Sequence, residues 1–294
     1  MAAIVANSRS SHGQRTRGER SISKKKYKLG TLLASGHFGD VFKSLDGVEE
    51  VAVKTVKGAF ILDREVEVLN ITNSKQLEHF LKLIDHGPGE TNVSFMVLTL
   101  LGKDLYVHRR ETPNKKFKRG TGLRIGLQTL EAIRQLHSLG YINRDIKPHN
   151  FAPGIGDQKM TIVIRRDDME SWFYLLVEVV KGGVPWRSTK DKEELRTWKT
   201  AMRDHEKNQL TEGLPHRFSE MFLRIVNLGF KDEPDYGDYQ EILEKACKDH
   251  LVSKKAPWEW DDPSKYSLLA PPVDQQDGPS LPGSAVGSDH KEDK

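Results

Sequence analysis

At 294 residues, 36% hydrophobic and 30% charged, the chain has apolar material for one large domain or two small lobes with tails, and the balance of a soluble globular protein. Its net charge of +4 is uneven: residues 1–26 hold seven Lys/Arg against Glu19, residues 271–294 hold five acids against Lys291 and Lys294, and the body between is close to neutral, so the pI near 8.9 belongs to the arm and argues little for nucleic-acid binding by the fold. The one cysteine, Cys247, cannot make an internal disulfide, and no apolar run approaches the ~20 residues of a bilayer span, so a cytoplasmic protein (or a nuclear one) without membrane attachment is expected.

Residues 1–26 read as a disordered basic arm, with an organelle transit peptide as the other reading of an Arg- and Ser-rich start. Short β-branched or aromatic runs punctuated by glycine predict strands over 27–34, 40–45 and 50–55. A helix is expected over 62–71, then strands over 80–84 and 93–98. From Thr121 the period changes. Leu123, Leu127, Leu130, Ile133, Leu136 and Leu139 recur at spacings of three and four, which marks one face of a long amphipathic helix that Gly140 ends. Phe151–Ala152 and residues 159–164 are candidates for a small ribbon. Residues 167–181 are apolar nearly all round and predict a buried helix, with Asp167 and Glu170 at capping-box spacing. Further helices are expected over 191–206, 215–229 and 236–250, and residues 263–294 read as a disordered tail. The pattern predicts an α+β fold: a β-rich N-lobe over 27–100 and a helical C-lobe over 103–262.

Three stretches carry chemistry. LASGHFGDVF, residues 33–42, places Gly36, Gly39 and Val41 between two strand candidates, where glycine lets backbone N–H groups approach an anion closely; a plain glycine-containing hairpin is the bland alternative. Val51-Ala52-Val53-Lys54 ends a strand candidate on a lysine, and Glu65 follows on the next helix; an exposed lysine and a solvated helix face are their bland readings. YINRDIKPHN, residues 141–150, packs the carboxylate of Asp145, the ammonium of Lys147 and the carboxamide of Asn150 into six residues around Pro148. A dinucleotide-binding loop of the G-x-G-x-x-G type would run into a helix, whereas residues 33–42 run into a strand.

In order and spacing these stretches resemble the glycine-rich loop, the V-A-I-K strand and the H-R-D-x-K-x-x-N loop of protein kinases, with Ala34 at the first glycine position and Asn143 in place of the histidine. RRDDMESWFYLLVEVVKGGVPWR, residues 165–187, is similar to the casein kinase 1 superfamily. DREVEVL (63–69), DKEEL (191–195), KDEPDYGDY (231–239) and PWEWDDP (257–263) look like its tau-tubulin kinase branch. The resemblance implies a bilobal protein-kinase-like fold that uses ATP and Mg²⁺ to phosphorylate Ser/Thr of a protein substrate or partner. It implies an ATP site from Gly36, Gly39, Val41, Ala52, Lys54, Glu65, Leu98 and Leu101, with Leu98 as gatekeeper and the backbone of 99–101 as the adenine contact. Asp145 is implied as the base or positioner of the substrate hydroxyl, Lys147 as the neutraliser of γ-phosphoryl charge, Asn150 as a metal ligand and Arg144 as the partner of an activation-loop phosphate. Asp168 is implied to open the buried helix and bind the catalytic-loop backbone.

One part of the family pattern is missing. After MTIV, residues 160–163, a kinase of this group continues into D-F-G, an activation loop and a substrate-docking segment. Here the chain runs Ile164-Arg165-Arg166-Asp167-Asp168 straight into the buried helix. The D-F-G aspartate is the main protein ligand of the metal bridging the β- and γ-phosphates, and Mg²⁺ asks for one or two carboxylates. Its loss weakens or removes the metal site and removes ~3 kcal/mol or more of barrier lowering, about 10²-fold in rate. Asp167 is a substitute carboxylate only if it leaves a helix start. The expectation is a pseudokinase-like domain that acts through protein contacts. The alternatives are an active Ser/Thr kinase with an unusual metal ligand and a shortened isoform or gene model of such a kinase.

Overall fold

The structure, a computed structural model, describes residues 21–22, 27–36, 39–46, 49–58, 62–89, 92–143, 145–154, 161–162, 168–204, 207–229 and 232–261. β1 (Ser21–Ile22) and β2 (Tyr27–Lys28) form a two-stranded ribbon. β3 (Leu32–Gly36), β4 (Gly39–Asp46), β5 (Glu49–Lys57), α1 (Asp63–Ser74), β6 (Leu83–Pro88) and β7 (Val93–Thr99) follow, and the strands make one antiparallel sheet in the order β3-β4-β5-β7-β6. Side chains alternate across a strand, and both faces of β5 are used. Val51 and Val53 pack with Tyr27, Phe95 and Val97 on one face. Ala52 and Val56 join Val41, Met96, Leu98 and three residues of α1, namely Val66, Leu69 and its N-cap Leu62, on the other.

Two expected strands are differently placed. The run over 27–34 breaks at Gly30, which donates its N–H to Lys43 O at 2.8 Å and whose added Cβ would lie 2.8 Å from that oxygen. The strand expected over 80–84 is observed as β6, because Phe80 and Leu81 owe their apolar character to burial in the two cores rather than to the sheet.

The second half is helical: α2 (Leu105–Glu111), α3 (Arg119–Ser138), α4 (Asp168–Lys181), α5 (Lys192–Asp204), α6 (Lys207–Thr211), α7 (Arg217–Val226) and α8 (Tyr236–Asp249). The short ribbon β8 (Phe151–Ala152) and β9 (Thr161–Ile162) lies between α3 and α4 in the chain. The sequence does not announce α2; Asp104 starts it, its carboxylate accepting from Val107 N at 2.7 Å. The helix expected over 191–206 is observed as α5 up to Asp204, and residues 205–206 lie outside the described residues. α4 is buried on most sides, as its all-round apolar sequence demands, with Trp172, Phe173, Leu176, Val177 and Val179 fully inside. It lies close against α3 because Gly122 and Gly126 carry no side chains there: a Cβ on Gly122 would fall 2.7 Å from Val179 O. The proposed capping box at Asp167 lies outside the described residues. The layout is the expected α+β one, an antiparallel sheet lobe followed by a helical lobe.

Candidate active site

The strand register assembles the first group. Lys54 faces the same side of β5 as Ala52, opposite Val41 on β4 and Met96 on β7, while Ala52 stands opposite Leu98. Lys54 is 2% exposed, and its ammonium meets Glu65 Oε2 of α1 at 2.7 Å. A buried lysine requires such a partner, since a lone charge there would lose its hydration uncompensated. Glu67 points elsewhere and accepts from the Tyr141 hydroxyl at 3.1 Å. Val41, Ala52, Leu98 and Leu101 belong to one apolar cluster that Ala152 of β8 completes, with Leu33, Ala34 and Leu100 against it. Gly36 pairs with Gly39 at the end of the β3–β4 ladder. Gly39 has φ +102°, and a Cβ there would sit 2.1 Å from Thr55 O, so no other residue fits.

The second group is the loop after α3. Asn143 is fully buried; its N–H donates to Asp168 Oδ2 at 2.5 Å, and its side-chain oxygen accepts from Asp145 N at 2.9 Å. That second bond is an Asx turn, which fixes the backbone two residues on. Lys147 Nζ lies 2.9 Å from Asp145 Oδ2. Asn150 Nδ2 donates to Asp145 O at 2.6 Å and to Asp145 Oδ2 at 2.9 Å. Burial pushes the Asp145 carboxyl up, but hydrogen bonds from Lys147 and Asn150 and the lysine charge outweigh it and hold the group below its ordinary value. Asn150 is 3% exposed, and its Oδ1 has no protein partner. A buried carbonyl oxygen left unpaired beside a carboxylate is a donor atom waiting for a cation or a water.

Sequence reasoning missed the residues behind this loop. His137 of α3 sits 2.6 Å through Nε2 from Asp168 Oδ2 and meets the Tyr236 hydroxyl of α8 through Nδ1. A carboxylate only accepts, so the ring donates from Nε2; in the neutral ring Nδ1 then accepts from the Tyr236 hydroxyl. Three helices thus converge on the carboxylate that carries the catalytic-loop backbone. No local motif marks His137, whose role comes from two helices packing beside its own. Arg144, the expected D-F-G position at Ile164 and the candidate substitute ligand Asp167 lie outside the described residues. A cavity of about 550 Å³ at the start of α3, lined by Arg119, Arg124, His250 and Trp258 among others, contains none of these site residues.

A lysine–glutamate pair under an antiparallel sheet, followed by an aspartate–lysine–asparagine loop among the helices, is the arrangement of a protein-kinase-like fold. The chain superposes on vaccinia related kinase 3 with a TM-score of 0.66 at 15% identity, over 85% of this chain and 96% of that one. Residues 27–162 match the protein kinase domain. A probable serine/threonine-protein kinase of Dictyostelium discoideum is 26% identical over 82% of this chain, which spans only 57% of that relative. The serine/threonine-protein kinase spe-6 of Caenorhabditis elegans is 28% identical over 86% of this chain and 80% of its own length. A probable casein kinase I homolog of Encephalitozoon cuniculi is 25% identical over 79% of this chain and 92% of its own. Together these show a protein-kinase-like fold in which residues 27–162 are similar to the protein kinase domain. Among the described residues no helix is long and apolar enough to cross a membrane.

Proposed function

We propose that this chain is a casein kinase 1-group domain, near the tau-tubulin kinase branch, that binds ATP but transfers its phosphoryl group poorly and acts through contacts with a protein partner. The reading of an ATP site rests on the buried Lys54–Glu65 pair at 2.7 Å beside the Val41, Ala52, Leu98 and Leu101 cluster. Lys54 would hold the α- and β-phosphates, Glu65 would keep that lysine extended, and the glycine-bearing strand ends at Gly36 and Gly39 would let backbone approach the remaining phosphate oxygens. Bound nucleotide supplies the transferable phosphoryl group.

The observation that carries the impairment is the short connection between β9 and α4. Only residues 163–167 separate Ile162 from Asp168, where the family pattern requires the D-F-G carboxylate and an activation segment. The alignments with the Dictyostelium and Caenorhabditis relatives run over 292 and 306 positions yet take up 82% and 86% of these 294 residues, so each relative carries residues with no counterpart here. The described donor set fits Mg²⁺ poorly. Asn150 Oδ1 is a suitable oxygen, but the Asp145 carboxylate beside it is engaged by Lys147 and Asn150. Among the described residues no three His, Cys, Asp or Glu cluster as a metal site.

An active kinase is the second reading, favoured by the intact order of the loop: Asp145 is aimed by Asn143, Lys147 and Asn150 and held ionised at neutral pH. A phosphotransfer assay with Mg·ATP and a generic protein substrate separates the two. The expected result is wild-type turnover no higher than that of Asp145→Asn; turnover that Asp145→Asn abolishes replaces this proposal by the second reading. Sequencing the transcript across the codons for residues 163–165 distinguishes a natural omission from a shortened isoform.

A further inference from the structure

We infer that Tyr141 is a positioning residue that braces α1 directly against the catalytic loop, so that the Lys54–Glu65 pair depends on a phenol at the loop's first residue. This rests on the nucleotide-site reading above. α1 divides its faces by helical spacing. Glu65, Val66 and Leu69 turn toward the sheet, where Glu65 meets Lys54 and the two apolar residues join the sheet-side core. Arg64, Glu67 and Val68, three and four apart, share the opposite side. Val68 is 2% exposed and belongs to the core of the helical lobe, against which Tyr141 also packs. The Tyr141 hydroxyl donates to Glu67 Oε1 at 3.1 Å, and the Arg64 guanidinium carbon lies 5.7 Å from the centre of the Tyr141 ring. One aromatic side chain therefore holds two neighbouring turns of α1 by a hydrogen bond and a cation–π contact.

The brace has a defined task. Glu65 reaches Lys54 only while α1 stays against the sheet, and α1 touches the helical lobe through Val68 and the residues around Tyr141. Tyr141 is also in line with the site: Asn143, two residues on, is bonded to Asp168 and to Asp145. Movement of α1 and order in the catalytic loop are thereby coupled through one residue. Arg64 and Glu67 are exposed, so the brace is a modest bias on the position of α1 rather than a lock.

The test uses the full chain, Tyr141→Phe, Glu67→Ala and the double variant, with Lys54→Met as the control for the nucleotide site. Hydrogen exchange of α1 amides and ATP affinity are both measured. The expected result is faster exchange in α1 with α3 and α4 unchanged, a loss of ATP affinity of about threefold to tenfold in each single variant, and no further loss in the double variant. Unchanged α1 exchange in Tyr141→Phe overturns the brace, whether or not nucleotide binds. Faster α1 exchange with ATP affinity unaltered, while Lys54→Met abolishes binding, overturns the claimed dependence of the ion pair on Tyr141. Absence of ATP binding in the wild-type chain removes the nucleotide reading, and the exchange measurement alone then decides the brace.

Discussion

Asp168 accepts two hydrogen bonds on one oxygen, from Asn143 N and from His137 Nε2, with its side chain fully buried. Removing the carboxylate strands the buried Asn143 N–H and the half-buried His137 Nε2–H at once, and stranded donors cost more than the bonds themselves contribute. Asp168→Ala is therefore expected to destabilise the chain by about 2–4 kcal/mol in urea unfolding, whereas Tyr236→Phe, which deprives His137 of one partner at a partly open site, is expected to cost clearly less. Asp168 and Asn143 were legible in the sequence as members of a pattern, but their bonding was not. The Asx turn from Asn143 to Asp145 explains how asparagine serves where the family pattern has histidine: its side-chain oxygen orders the loop locally. His137 and the Tyr141–Glu67 contact had no signature at all, because their partners lie 31 and 74 residues away in sequence.

At the scale of elements, legibility followed periodicity. α3 and α4 were clear because one repeats leucine at three and four and the other is apolar all round; α2 was not, because its sequence LYVHRRE shows no repeat and its start is set by Asp104. The close approach of α3 to α4 explains the glycines in a helix that would otherwise avoid them. Gly122→Ala places a methyl against α4 backbone, with Val179 O at 2.7 Å and Val180 Cα at 2.9 Å, so it is expected to cost about 1–3 kcal/mol by overpacking. Gly140→Ala meets nothing within 4 Å and pays only for its positive φ of 77°, so thermal unfolding of the two variants ranks packing against backbone strain. α2 also sets a pH response. His108 is stacked on Trp260, and burial pushes its pKa down to about 4, with smaller opposing effects from Glu111 and Asp261 and a lowering one from Lys103. Between that value and the ordinary one near 6.5 the unfolded chain binds a proton that the folded chain refuses, so stability rises with pH across this window and falls on acidification. His108→Gln is expected to flatten that slope in denaturant titrations at pH 4.5 to 6.5, about the range the two values bracket.

For the whole molecule, only residues 163–167 connect β9 to α4, and the bonds that hold the loop after α3 to the helices are made elsewhere. The catalytic loop, α3, α4 and α8 are bonded to one another through Asp168, His137 and Tyr236, and none of those bonds runs through residues 163–167. The α1 pairing with β5 is likewise made without them. On the proposed reading the short connection would therefore affect the metal and the substrate more than folding, and the two sides of nucleotide recognition would separate. On the proposed reading Lys54 and the apolar cluster would contact a nucleotide irrespective of metal, whereas Asn150 Oδ1 is the one unpaired buried side-chain oxygen of the loop after α3 among the described residues. A ligand that binds only the folded state raises the melting temperature with the logarithm of its concentration over its Kd. ATP in EDTA is accordingly expected to stabilise the chain nearly as well as ATP with Mg²⁺, with Lys54→Met abolishing the shift in both conditions and Asn150→Ala changing neither by more than about 1 °C. A shift that appears only with Mg²⁺ and vanishes in Asn150→Ala would mean that one carboxamide and the nucleotide's own phosphates suffice to hold the ion, and the impairment proposed for phosphotransfer would then have to lie in the missing substrate-docking surface.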